Sequence, residues 1–364
     1  MGEKVNLLYI SEKTGYSVST VSRVLSGKAE KYRISREAAE LIKEEARRCH
    51  YQPNFVAQAL RTRKSQTIGL IVPGIDNPFF ATLASVINTL LASRGYHTLL
   101  ADSREDVAEE AASLEAFRRR NVEGIIAVPV ASSPELHEEI GKSVPMVLID
   151  RYFESSSLPY VCTDNYAGAV MATRYLLDRG YRRILAVQGV PSSMPNRERV
   201  RGFLSAISAF QTVSASSPIP GSTLESSPSV SEALLSGCKV VGDAFSVRNG
   251  YDRIIEEFGT PAAGRAPFDA VFAFSTTILL GVIDALRSLG LKVGSDVGVI
   301  SFDNNSFLDF LDPAVTRVEQ PLREAGEIAV QTIFSLIESR NAGLPEPPPV
   351  RKMLLPTLIV RHSC

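Results

Sequence analysis

Ser17-Val18-Ser19-Thr20-Val21-Ser22-Arg23-Val24-Leu25 reads as one short helix with a single apolar side. Ser17 suits the N-cap position, where a side-chain oxygen takes up an otherwise unpaired backbone N–H. Val21, Val24 and Leu25 recur at i, i+3 and i+4, the spacing that lines one helix face. That leaves Val18, Ser19, Ser22 and Arg23 pointing outward. Just upstream, Leu7, Leu8 and Ile10 lead into Ser11-Glu12-Lys13-Thr14, a second short one-sided helix. Gly15 then supplies the positive φ that a tight turn between the two requires.

Two short helices joined at a glycine form a helix-turn-helix, and the outward face of the second suits the major groove of DNA. A third helix is expected over Ser35–Cys49, with Ala38, Ala39, Leu41, Ile42 and Ala46 as its buried side. It ends at His50-Tyr51-Gln52-Pro53, because the residue before a proline disfavours helix. Residues 53–61 carry one more short helical pattern, too brief to hold alone in water. It is expected to order only against DNA and a second copy of the chain. Charge points the same way. Residues 1–65 hold 13 Lys/Arg and 7 Asp/Glu, and the whole chain carries −1, so a +6 head precedes a −7 body. A basic head marks an electrostatic footprint for phosphate at one end.

The remaining ~300 residues alternate short apolar runs with amphipathic helices, as repeated β-α-β units do. Strand-like runs include 68–72, 97–101, 124–128, 145–150, 183–187, 239–241, 269–274 and 297–302. This order predicts doubly wound parallel sheets, and the length predicts two lobes rather than one core. Ligands of such sheets sit at the carboxyl ends of the strands. Residues 211–238 are rich in Ser, Pro and Gly and weak in periodicity, which predicts a mobile surface insertion. Cys49, Cys162, Cys238 and Cys364 are scattered without metal-ligand spacing, and no apolar run reaches the ~18 residues of a membrane span. With no secretory signal pattern at the N-terminus, a cytoplasmic, nucleoid-associated protein is expected.

Four motifs in register then give a specific resemblance. Ser19-Thr20-Val21-Ser22-Arg23-Val24-Leu25 is followed by Tyr51-x-Pro53-Asn54, by Ala57-x-Ala59-Leu60-Arg61, and by Thr67–Pro73 with Asn77-Pro78-Phe79-Phe80. The chain resembles the LacI/GalR (lac repressor) family over nearly its whole length. The resemblance implies an all-α helix-turn-helix head at 1–52, a hinge helix and linker at 53–65, and a periplasmic-binding-protein-like α/β body at 66–364. One lobe of that body would take 66–161 and 321–341, the other 162–320 and 345–364. The function implied is that of a regulator, a repressor, whose affinity for pseudo-palindromic double-stranded operator DNA is set by a small effector. The effector class implied is a sugar or sugar derivative. A homodimer is implied, formed along the body, with no membrane partner.

Residue by residue, the resemblance places Ser17, Val18, Ser19, Thr20, Ser22, Arg23, Tyr51, Asn54, Ala57, Leu60 and Arg61 at the DNA. Arg23 can contact guanine O6 and N7 with two prongs, or a phosphate. Leu60 matches a wedge that pries a base step apart in the minor groove. The loop 28–34 is about three residues longer than in relatives; its Lys28, Lys31 and Arg33 add phosphate contacts or form a solvated loop. In the body, the cleft residues implied are Phe79, Phe80, Asp150, Arg151, Arg199, Ser275 and Asp303. Ser275-Thr276-Thr277 stands where relatives often carry Asn-Asp, which leaves the effector open, purines and nucleosides included. Catalytic, metal-binding and cofactor residues are not expected: phosphate loops, nucleophile elbows and His pairs at ligand spacing are all missing. A solute-binding protein is the other non-enzymatic reading, and the basic head speaks against it.

Overall fold

Polar side chains start the first three helices in the way their sequence requires. Asn6, Ser17 and Ser35 accept from the backbone N–H of Tyr9, Thr20 and Ala38 at the starts of α1 (Leu7–Thr14), α2 (Val18–Leu25) and α3 (Arg36–Arg48). Gly15 closes α1 at φ 74°, in the left-handed region. The computed structural model describes residues 6–51, 64–215, 237–259 and 266–364. It divides into two units, Met1–Ser65 and Gln66–Cys364. The first unit is built on Ile10, Val21, Val24, Ala39, Ile42 and Ala46. Two expected orientations need correction. Leu41 is 50% exposed and Ser22 only 9% exposed. Both sit at the border of the apolar stripe, where periodicity fixes direction but not width. Residues 53–61 fall outside the described residues.

The second unit holds two six-stranded sheets with matching strand order. The first contains β1 (Thr67–Val72), β2 (His97–Asp102), β3 (Gly124–Ala127), β4 (Met146–Ile149) and β5 (Tyr160–Thr163). The second contains β6 (Ile184–Val187), β7 (Lys239–Val241), β8 (Ala270–Ala273), β9 (Gly298–Phe302) and β10 (Thr316–Glu319). Late strands β11 (Arg351–Leu354) and β12 (Thr357–Ile359) complete the two edges, giving orders β11-β5-β4-β3-β1-β2 and β12-β10-β9-β8-β6-β7. All pairs are parallel except β10 with β12.

Helices α4 (Pro78–Ala92), α5 (Val107–Arg119) and α6 (Glu135–Ser143) link strands of the first sheet. Helices α7 (Asn165–Asp178), α8 (Met194–Ala215), α9 (Val247–Phe258) and α10 (Thr276–Ser288) do so around the second. The last helix, α11 (Leu322–Ala342), returns to the first: its Ala329, Val330, Ile333 and Ile337 pack with Ile68, Leu70 and Leu91. Strands buried on both faces read as unbroken apolar runs, as Gly124–Ala127 and Met146–Ile149 do.

The expectation that 345–364 joins the second lobe as a whole is corrected. Arg351–Leu354 hydrogen-bonds to β5, so the last crossing falls at Leu355-Pro356. The first crossing likewise follows Thr163, two residues beyond the expected boundary, because β5 continues to it. The insertion expected at 211–238 starts later: α8 runs on to Ala215, with Gln211 buried against the lobe. Most of that stretch lies outside the described residues.

Candidate functional sites: recognition helix and cleft

Ser17 Oγ accepts from Thr20 N at 3.2 Å and also meets the hydroxyls of Ser19 and Thr20 at 2.8 and 2.9 Å. Ser17, Val18, Ser19 and Arg23 form the exposed side of α2 and Thr20 its half-buried edge, while Ser22 faces the interior. Tyr51 is half-buried against the head's core. Lys28, Lys31 and Arg33 are exposed. Their loop is ordered as a 3₁₀ turn, Glu30–Tyr32, closed by Arg33 at φ 53°. The guanidinium of Arg23 lies over the Tyr32 ring, 4.1 Å from its centre. Asn54, Ala57, Leu60 and Arg61 lie outside the described residues.

In the second unit, the seven residues expected at the cleft all line one cavity between the lobes. Asn77, Pro195 and Phe245 complete its wall. Matching strand order puts matching residues at matching ends. Asp150 follows β4 and Asp303 follows β9, each in the third strand of its sheet, with φ of 66° and 75°. Asp tolerates the left-handed region better than most side chains. This backbone turns each carboxylate off its strand end at the carboxyl edge of the sheet.

Asp303 is well supported: Gln320 Nε2 donates to it at 2.6 Å, and Arg199 Nη2 lies 3.6 Å away. Arg199 is itself buried, donating to Asn165 Oδ1 at 2.8 Å and to the carbonyl of Phe274, with its plane 3.7 Å from the Phe302 ring centre. Asp150 is different. Among the described residues no hydrogen bond reaches its carboxylate, and the nearest cation, Arg151 Nε, is 3.9 Å away. Arg151 instead spends its fork on Glu105, at 2.8 and 2.6 Å.

Burial pushes the Asp150 carboxyl up to about 6, against the pull of Arg151 and Arg199. Burial also raises Asp303, partly offset by Arg199 and Gln320. It lowers Arg199, though a guanidinium stays charged at neutral pH. For Arg151 burial pulls downward too, but pairing with Glu105 leaves it raised. With Asp150, Asp303 and Glu105 set against Arg151 and Arg199, the fully ionised site carries one net negative charge.

Phe79 and Phe80 line the cavity but also belong to the first lobe's core, at 4% and 5% exposure, packed edge to face at 5.0 Å. They form one wall of the cavity. Ser275 is 2% exposed and caps α10, accepting from Ile278 N at 3.2 Å. Asn77 caps α4 in the same way, through Phe79 N at 3.0 Å. Sequence reasoning missed Pro195, Phe245, Glu105, Asn165 and Gln320 as parts of the site. Gln320 carried a signal, since it ends β10 as Asp303 ends β9. Glu105 carried none, because it lies in a loop.

Two family models match the chain. One, described as periplasmic binding proteins and sugar binding domain of LacI family, covers residues 65–215; the other, a periplasmic binding protein-like domain, covers 173–364. A ribose operon repressor of Halalkalibacterium halodurans is 28% identical, over 91% of this chain and 90% of that one. The solved structure of a candidate ribose operon repressor from Burkholderia thailandensis is 31% identical over 81% of this chain and 99% of that one, with TM-score 0.64. A lac repressor dimer bound to operator and an anti-inducer shares the fold at TM-score 0.79 and 19% identity, over 99% of both chains.

Proposed function

The chain belongs to the LacI/GalR (lac repressor) family, and from that membership we propose that it is a transcriptional repressor whose operator affinity is set by a small molecule bound between its lobes. The head reads DNA through α2, with Ser17, Val18, Ser19 and Arg23 toward the groove and Lys28, Lys31 and Arg33 toward phosphates. Asn54, Ala57, Leu60 and Arg61 act in the hinge of the same interface. Two copies joined along the body meet the two halves of a pseudo-palindrome. The protein works in the cytoplasm and catalyses no reaction. Among the described residues, no helix is long and apolar enough to cross a membrane.

The observation that carries the effector reading is Asp150, a buried carboxylate at the wall of a cavity that takes no hydrogen bond from the described residues. Burying an ionised group without donors is costly, so a ligand bearing hydroxyl donors gains most there. Asp303 faces the same cavity from the other lobe. Two carboxylates and one net negative charge favour a neutral, hydroxyl-rich ring over a phosphorylated one, and over a purine, whose edge offers fewer donors.

Operator fragments captured from genomic DNA, titrated with the full-length protein beside a panel of neutral sugars, sugar phosphates and nucleosides, test the reading. Expected is a change of about 5- to 150-fold in operator dissociation constant with at least one neutral sugar. Arg199→Ala should abolish that response and keep DNA binding. Operator binding that ignores every compound would end the effector reading; capture of no fragment would end the repressor reading.

A further inference from the structure

The loop 28–34 that follows the recognition helix also folds back onto it. We propose that Tyr32 is a positioning residue for base recognition: its ring holds the Arg23 guanidinium by the face and leaves the N–H edge free for two in-plane acceptors on a base. The inference rests on the repressor reading of the head.

Three observations carry it. First, the stack itself: Arg23 Cζ is 4.1 Å from the Tyr32 ring centre, and both side chains are exposed beside α2. Second, among the described residues no carboxylate pairs with Arg23, in a unit where Lys43 and Arg48 both have acidic partners. A guanidinium stacked on a ring keeps all five N–H donors at its rim, so face support and edge recognition do not compete. Third, Tyr32 is itself held. The loop is tied to α2 by Lys28 N donating to Arg23 O at 2.9 Å, and the turn closes through Arg33 N to Glu30 O at 3.0 Å and Ile34 N to Ala29 O at 3.0 Å. Ala29 and Ile34 then pack on the head's core. The turn therefore works as a brace, since a long flexible arginine loses less freedom on binding when its plane is already fixed.

The test is selection from random duplexes with the full-length wild type, Tyr32→Ala, Tyr32→Leu, Tyr32→Phe and Arg23→Ala, followed by titration of the selected site and its single-base variants. The wild type should select a palindrome with one guanine per half-site that Arg23→Ala no longer distinguishes. Tyr32→Ala and Tyr32→Leu should lose about 3- to 10-fold in discrimination at that guanine alone, with unchanged thermal unfolding and unchanged preference elsewhere. Tyr32→Phe should restore it. The double variant Arg23→Ala/Tyr32→Ala should lose no more than Arg23→Ala. Equal discrimination by the wild type and both ring-less variants would overturn the brace, as would additive losses in the double variant. Failure of the wild type to select any sequence would sink the repressor reading itself, and the brace with it.

Discussion

Asp150 shows what a buried carboxylate costs when no hydrogen-bond donor among the described residues reaches it. Its carboxyl is raised from 3.8 to about 6, so the folded state holds the proton more tightly than the unfolded chain. Stability contributed by this group is therefore greatest at low pH. It falls as pH rises from about 4 to about 6, and the full penalty stands at pH 7. A shift of roughly two units corresponds to about 3 kcal/mol, an upper figure for a site that wets when ligand-free. Asp150→Asn should remove the penalty: in urea titrations the variant should gain about 1–3 kcal/mol over wild type at pH 7, shrinking toward pH 4. It should also lose the effector response. A variant less stable than wild type at pH 7 would mean that Asp150 is satisfied by a partner in solution. Asp150-Arg151 and Asp303 were named through the family resemblance, and their place directly after apolar runs that form strands agrees with it. Ser22 and Leu41 were misread because a helical stripe shades into polar surface over one residue.

At the level of elements, the two sheets repeat one plan, and the packing between α9 and α10 shows how tightly the second lobe is built. A Cβ on Gly281 would lie 1.9 Å from the carbonyl oxygen of Val247 and 2.6 Å from the amide of Tyr251. A Cβ on Gly250 would lie 2.2 Å from Ile278 O. These neighbours are backbone, which cannot swing aside as a side chain can. Helix propensity alone would favour alanine by up to ~1 kcal/mol. The clash should reverse the sign: Gly281→Ala is expected to destabilise by about 1–3 kcal/mol or more, read as a lower urea midpoint with unchanged m-value. A neutral or raised midpoint would show that the helices separate freely. Ser275, which caps α10 beside the cavity, ties this packing to the site. The strand-helix alternation was readable from periodicity, yet β11 was not assigned to its sheet. Its residues Arg351-Lys352-Met353 are exposed on an edge, so they carry no apolar pattern; only the pairing with β5 reveals their place.

Across the whole molecule, the distribution of charge pairs says where the energy for a switch resides. Arg151 pairs with Glu105 inside the first lobe, and Arg199 pairs with Asp303 inside the second. Among the described residues no ion pair spans the cleft; Asp150 and Arg199 attract only at longer range. The chain itself passes between lobes three times, after Thr163, near Gln320 and at Leu355-Pro356. A ligand that contacts Asp150 from one side and Asp303 with Arg199 from the other would supply the bridge the protein lacks. Its binding energy then favours one lobe arrangement by no more than its differential affinity for the two. The switch must also work in reverse, because coupling between two binding sites is mutual. If an effector changes the operator dissociation constant by a given factor, saturating operator must change the effector dissociation constant by that same factor. Anisotropy titration of labelled operator at zero and saturating effector gives the first number. Calorimetric titration of effector into free and operator-bound protein gives the second. Agreement within about twofold is expected for a protein that moves between two states as one body, since twofold is only ~0.4 kcal/mol. A tenfold mismatch would show that a third process, such as a change of oligomeric state, takes up part of the free energy.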